Sequence, residues 1–82
     1  MKIKILGTGC PNCRRLEKVT REVVADLGVD AEITKVTDMT DILSYHILAT
    51  PGLVIDEEVI SSGRVPSKAE VTSMIATALS KA

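Results

Sequence analysis

Two cysteines stand two residues apart at Cys10-Pro11-Asn12-Cys13, and the chain has no others. Thiols so spaced can exchange disulfides, hold a soft metal or form a small bridge. A bridge here closes a very small loop and constrains the unfolded chain little, so a purely structural staple explains the pair poorly. The apolar run Ile3-Lys4-Ile5-Leu6 precedes the pair and the longest amphipathic pattern in the chain follows it. A strand handing over to a helix at this point puts Cys10 at the helix N-terminus. Unpaired backbone N–H groups and roughly half a positive charge favour thiolate over thiol there. Cys10 is therefore the candidate nucleophile. A free thiol of pKa ~8.5 is about 3% ionised at pH 7, against about half for one lowered to ~7. Lower intrinsic nucleophilicity offsets most of that gain, leaving about threefold in rate. The larger effect is on equilibrium, because stabilising the reduced thiolate makes the couple more oxidising, and Pro11 and Asn12 are the residues placed to tune it.

The elements that must hold this pair follow from periodicity. Residues 2–6 read as a strand buried on both faces. Gly7-Thr8-Gly9 ends it and turns the chain tightly, leaving no bulky neighbour before Cys10. Proline suits the first helical turn, so Pro11 opens a helix carrying Leu16, Val19, Val23, Val24 and Leu27, which Gly28 stops with a left-handed cap. Ala31, Ile33 and Val36 alternate with polar residues as a second strand. Asp38 or Thr37 caps a short helix carrying Met39, Ile42, Leu43 and Ile47, ended by Ala49-Thr50-Pro51-Gly52 because a residue before proline is pushed out of the helical region. Leu53–Ile55 and Val59–Ile60 read as a hairpin around the acidic turn Asp56-Glu57-Glu58. Ser67 and Glu70 have capping-box spacing at the head of a last helix with Val71, Met74, Ile75, Ala78 and Leu79 on one face. This order predicts an α/β fold, βαβαββα, with a mixed four-stranded sheet and three helices.

Composition removes several function classes. The 82 residues read as one domain, 1–82, with 45% apolar and 26% charged residues. Ten basic and eleven acidic residues leave a net charge of −1, and Tyr45 is the single aromatic. No field draws such a chain to nucleic acid or an anionic membrane, and it lacks rings on which bases could stack. No apolar run reaches the ~18 residues of a membrane span, and no signal sequence is evident. The expected setting is the cytoplasm, where a Cys-X-X-Cys pair is more often catalytic or metal-binding than structural.

Three features together make the chain resemble the thioredoxin-like superfamily, and more closely the small thioredoxin- or glutaredoxin-like redox-active disulfide proteins of archaea and bacteria. They are Cys10-Pro11-Asn12-Cys13 after the first strand, Thr50-Pro51 before the third, and Gly63-Arg64 between the last strand and last helix. The resemblance implies a thiol–disulfide oxidoreductase with Cys10 as the solvent-facing attacking thiol and Cys13 as the buried resolving thiol. It implies a cis Pro51, with the backbone of Thr50 holding an extended substrate segment beside the active sulfur. It further implies protein or small-molecule disulfides as substrates, an upstream disulfide reductase as partner, no cofactor beyond the Cys10–Cys13 disulfide, and a monomer. Gly9 stands where thioredoxins carry tryptophan. Ser61-Ser62-Gly63-Arg64 lacks the carboxylate with which glutaredoxins hold glutathione, which argues against glutathione as the dedicated partner. Thioredoxins also bury an acid behind the resolving cysteine. No strand position among Ile3–Leu6, Ile33 and Val36 supplies one, so the proton of Cys13 is expected to leave through water.

The main rival is a soft-metal domain, copper or zinc, using the same cysteine pair between a first strand and first helix of a βαββαβ fold. The extra helix before the hairpin, the Thr50-Pro51 pair and a terminal helix count against it. Other residues read as structural: Arg14 and Arg15 as a solvated helix face, His46 as a helix-end residue, Tyr45 as packing, Arg64 as a turn residue, and Met39 and Met74 as core fillers.

Overall fold

The computed structural model describes residues 1–81. Its elements are β1 (Lys2–Leu6), α1 (Pro11–Leu27), β2 (Glu32–Val36), α2 (Met39–Leu43), β3 (Gly52–Ile55), β4 (Glu58–Ser62) and α3 (Lys68–Lys81). The strands lie in the order β2-β1-β3-β4. β1 runs parallel to β2 and antiparallel to β3, and β3 pairs antiparallel with β4. The mixed sheet and its three helices are those the periodicity predicts.

Alternation along β1 divides the interior in two. Ile3 and Ile5 point to the face covered by α1 and α3, where they pack with Leu16, Val23, Val71 and Ile75. Leu6 points to the other face and meets Val54, Ile42 and Ile47. All four β3 residues are buried, as a strand sandwiched between two helical layers requires. A bulge between the Leu53 and Val54 pairs lets Ser61 oppose Leu53 and Val59 oppose Val54.

Local signals account for most element ends. Gly28 takes φ 65°, and its N–H reaches back to Ala25 O and Val24 O. The Ser67 and Glu70 capping box forms in both directions: Glu70 N–H donates to Ser67 Oγ and Ser67 N–H donates to Glu70 Oε1, each at 3.2 Å. Asp38 is the N-cap of α2, accepting from Thr40 N and Asp41 N. The hairpin turn is two residues, Asp56 and Glu57, both left-handed, and Asp56 Oδ1 also accepts the Lys2 N–H at 2.8 Å. Glu58 therefore belongs to β4, which continues past Ile60 to Ser62.

The second helix is shorter than its apolar spacing predicts. It ends at Leu43, because Ser44 Oγ donates to Asp41 O and His46 adopts φ 59°. The chain then leaves helical geometry and drops Ile47 beneath Gly52, where a Cβ would sit 3.1 Å from Ile47 Cδ1. Met39 is no core filler: at 53% exposure it lies on the outer side of this single-turn helix, whereas Met74 packs against the main core. Leu79 is also turned outward at 43% exposure, although its neighbour Ala78 still packs against the main core. No helix among the described residues is long and apolar enough to cross a membrane.

Candidate active site

Gly9, at φ 93°, delivers the chain to Cys10, whose extended backbone (φ −65°, ψ 162°) makes it the N-cap of α1. Cys10 Sγ accepts the Cys13 N–H at 3.1 Å, and Cys10 O accepts the Arg14 N–H at 3.1 Å. A sulfur thus occupies the place where serine or aspartate commonly caps a helix, with a backbone dipole aimed at it. No acidic residue lies in the first turn to oppose that field. Pro11 holds the first helical position. The two sulfurs are joined as a disulfide with their Cα atoms 5.0 Å apart. Cys10 is half-exposed, whereas Cys13 is only 5% exposed.

Gly7 is what admits the inner sulfur. A methyl on Gly7 would overlap Cys13 Sγ and lie 3.1 Å from Cys13 Cβ and 4.0 Å from Thr50 Cβ. The same small space therefore brings the Cys10–Cys13 pair and the Thr50-Pro51 segment together, although some forty residues of sequence separate them. Thr50 is exposed and Pro51 buried, the bond between them is cis, and Pro51 O accepts the Gly63 N–H at 2.9 Å. Asn12 Oδ1 accepts from Arg15 Nη1 at 3.4 Å, which turns Asn12 along the helix surface. Arg14 and Arg15 are exposed, as a solvated helix face should be. Arg64 pairs with Glu70, and His46 is an exposed turn residue. Tyr45 packs on the smaller core and accepts a hydrogen bond from Lys4 Nζ at 2.8 Å.

The acidic side chain nearest the space beside Cys13 belongs to a helix and not to a strand. Behind Cys13 lies a pocket of about 200 Å³ bounded by Gly7, Gly9, Arg14, Glu17 and Lys35. Glu17 comes from α1, one turn beyond Cys13, and Lys35 from the edge strand β2. The i,i+4 spacing from Cys13 to Glu17 was visible in the sequence as a signal, but it marks a shared helix face without saying what covers that face. A larger hollow of about 400 Å³ lies away from the cysteines, between the β3–β4 hairpin and α3, lined by Ile55, Ile60, Met74 and Ala78.

No set of three or more His, Cys, Asp or Glu side chains converges on a metal position among the described residues. The terminal α3 and the helix before the hairpin depart from the βαββαβ element order of the metal-binding rival.

A disulfide set at the head of the first helix, at the rim of a four-stranded mixed sheet with helices on both faces, defines a thioredoxin-like thiol–disulfide oxidoreductase. Residues 1–76 match the thioredoxin domain family, to which this chain belongs. Thioredoxin of Methanothermobacter thermautotrophicus is 49% identical over 75 residues, spanning 92% of this chain and 97% of that protein. Thioredoxin of Methanocaldococcus jannaschii is 41% identical over 69 residues, spanning 84% of this chain and 79% of that one. Among solved structures, thioredoxin 1 of Thermosipho africanus superposes with a TM-score of 0.61 over 98% of this chain and 96% of that one; at 22% identity it bears on the fold alone.

Proposed function

We propose that Cys10 is the attacking thiolate and Cys13 the resolving thiol of this oxidoreductase, working through the Cys-Pro-Asn-Cys sequence. The observation that carries the assignment is the helix-capping sulfur: Cys10 Sγ accepts a backbone N–H and faces solvent in part, while Cys13 is covered. In the forward step the Cys10 thiolate attacks one sulfur of a substrate disulfide, a mixed disulfide forms, and the other substrate sulfur leaves with the electron pair. Cys13 then attacks Cys10 Sγ, closing the internal disulfide and releasing the reduced substrate. The dithiol loses two electrons and the substrate gains them, so an upstream disulfide reductase must restore the pair.

Thr50, exposed beside the buried Pro51, supplies the backbone on which an extended protein segment lies during exchange. Protein disulfides are the substrates this open rim suits, with small disulfides as lesser ones. Residues 1–82 act as one thioredoxin-like domain, as a monomer in the cytoplasm, with no cofactor other than the disulfide itself.

The test uses reduced protein, a protein disulfide substrate and a thiol-selective alkylating agent across a pH series. Cys13→Ser traps a mixed disulfide at Cys10, and Cys10→Ser is inert. Equal alkylation rates for the two thiols, or tight copper(I) binding without exchange, overturns the assignment in favour of the metal reading.

A further inference from the structure

We propose that Glu17 is the positioning residue for the resolving step, receiving the Cys13 proton through water in the pocket behind that thiol. This rests on Cys13 being the resolving thiol.

Cys13 must lose a proton before it can attack, and at 5% exposure it meets far less solvent than the half-buried Cys10. A pocket of about 200 Å³ adjoins it, lined by Ile5, Gly7, Gly9 and Thr37 as well as by charged side chains, and Gly7 is the residue whose missing side chain leaves room for the sulfur. At roughly 30 Å³ per molecule, water fits there in more than one position. Three charged side chains line this space: Arg14 and Glu17 from α1 and Lys35 from β2. Glu17 is the only one of the three that can accept a proton. Its carboxylate is held in place, with Oε2 taking Arg21 Nε at 3.0 Å and Oε1 lying 3.7 Å from Lys35 Nζ. At 20% exposure the side chain touches both the pocket and solvent, so a proton taken from inside can leave outside.

The step balances without an added reactant. The Cys13 S–H proton passes through water to a Glu17 oxygen. The resulting thiolate forms a bond to Cys10 Sγ, the bond from Cys10 to the substrate sulfur breaks, and the electron pair departs with that substrate sulfur, which takes its own proton from solvent. When the internal disulfide is reduced again, the path runs in reverse and returns the proton to Cys13. The paired cations Lys35 and Arg21 orient the carboxylate, and Arg14 adds positive charge near the sulfur that must become negative.

An aromatic disulfide whose released thiol is coloured separates the two steps, since reduced protein liberates one equivalent when Cys10 attacks and a second when Cys13 resolves. The comparison is wild type, Glu17→Gln, Glu17→Asp and a control, Glu32→Gln, at an exposed position on β2. In Glu17→Gln the second release slows by at least about tenfold at pH 7, the low end for a positioned proton acceptor because water competes with it. The deficit shrinks as pH rises past ~8.5, where a thiol ionises unaided. The first release is unchanged, and Glu17→Asp recovers part of the second. A second release in Glu17→Gln that matches the control at every pH overturns the proposal. So does equal slowing of both releases, which marks a structural effect. If wild type itself liberates one equivalent only, the resolving role of Cys13 fails, and this proposal fails with it.

Discussion

Gly7 does its work by lacking a side chain rather than by bending the chain. Its φ is not among the left-handed ones, and its N–H bonds Val36 O at 3.0 Å in ordinary strand continuation. The space a methyl would fill is held by Cys13 Sγ, with Cys13 Cβ at 3.1 Å, and a cysteine rooted in a helix cannot retreat as a flexible side-chain end could. Gly7→Ala should therefore destabilise the protein by about 1–3 kcal/mol, the usual range for overpacking a tight interior. It should also raise the alkylation rate of Cys13 in the reduced protein by pushing that thiol outward. Chemical denaturation of both redox forms checks the first effect and mass-resolved alkylation the second. Wild-type values for both would mean that β1 and α1 separate without cost, and the close approach would lose its meaning.

Helix ends are where single elements of this fold can be tested alone. Gly28 caps α1 at φ 65° with nothing within 4 Å of where a Cβ would stand, so Gly28→Ala isolates the backbone cost of a left-handed non-glycine residue. We expect a loss of about 1 kcal/mol, read as a lower denaturation midpoint with an unchanged slope. At the head of α3, the Arg64 guanidinium first and the Ser67 N–H second hold the Glu70 carboxyl down from the ordinary 4.5 to about 2. A carboxyl whose folded pKa is depressed adds stability that is in full force above the unfolded value. That stability is lost as pH falls through the folded value. The Glu70 contribution should accordingly fade between pH 4.5 and about 2, and Glu70→Gln should flatten the acid limb of the stability profile in that window alone. An unchanged acid limb in the variant would show that the capping box does not couple to folding.

Across the whole molecule the two faces of the sheet are covered unequally. α1 and α3 bury Ile3, Ile5, Leu53 and Ile55 under two long helices, whereas the other face has a single helical turn and the 44–50 segment over Leu6 and Val54. Met39, Leu43 and Leu48 remain exposed on that thinner side, Leu48 completely at 103%. Truncating a buried isoleucine costs about 2–5 kcal/mol, more where the surroundings cannot close on the cavity. Ile75→Ala, under α3 at zero exposure, should fall at the high end and Ile42→Ala, in the short α2, at the low end. At roughly 0.05–0.15 kcal/mol per residue the chain has about 4–12 kcal/mol in total, so the first variant should lose a large part of it in urea titration. An equal cost for the two would mean that the layers are equally rigid.

Sequence alone determined what depends on near neighbours. The Cys10 and Cys13 spacing at a strand-to-helix junction, the stop at Gly28, the Ser67 and Glu70 box and the alternation of β1 are read within a few residues, because capping, helical spacing and strand pleat are set by local geometry. Periodicity could not say how far the second helix ran, since Ile47 falls at helical spacing from Leu43 yet enters the core from a turn made by His46. It could not say that Met39 and Leu79 face water, because an apolar stripe shows a face without showing how far its cover extends. The meeting of Thr50 with the inner cysteine at Gly7, and of Glu17 from a helix with Lys35 from an edge strand, belongs to the tertiary structure. Those neighbours are created by strand pairing and by the crossover through α1, and side chains far apart along a chain become neighbours only when the sheet decides which strands lie side by side.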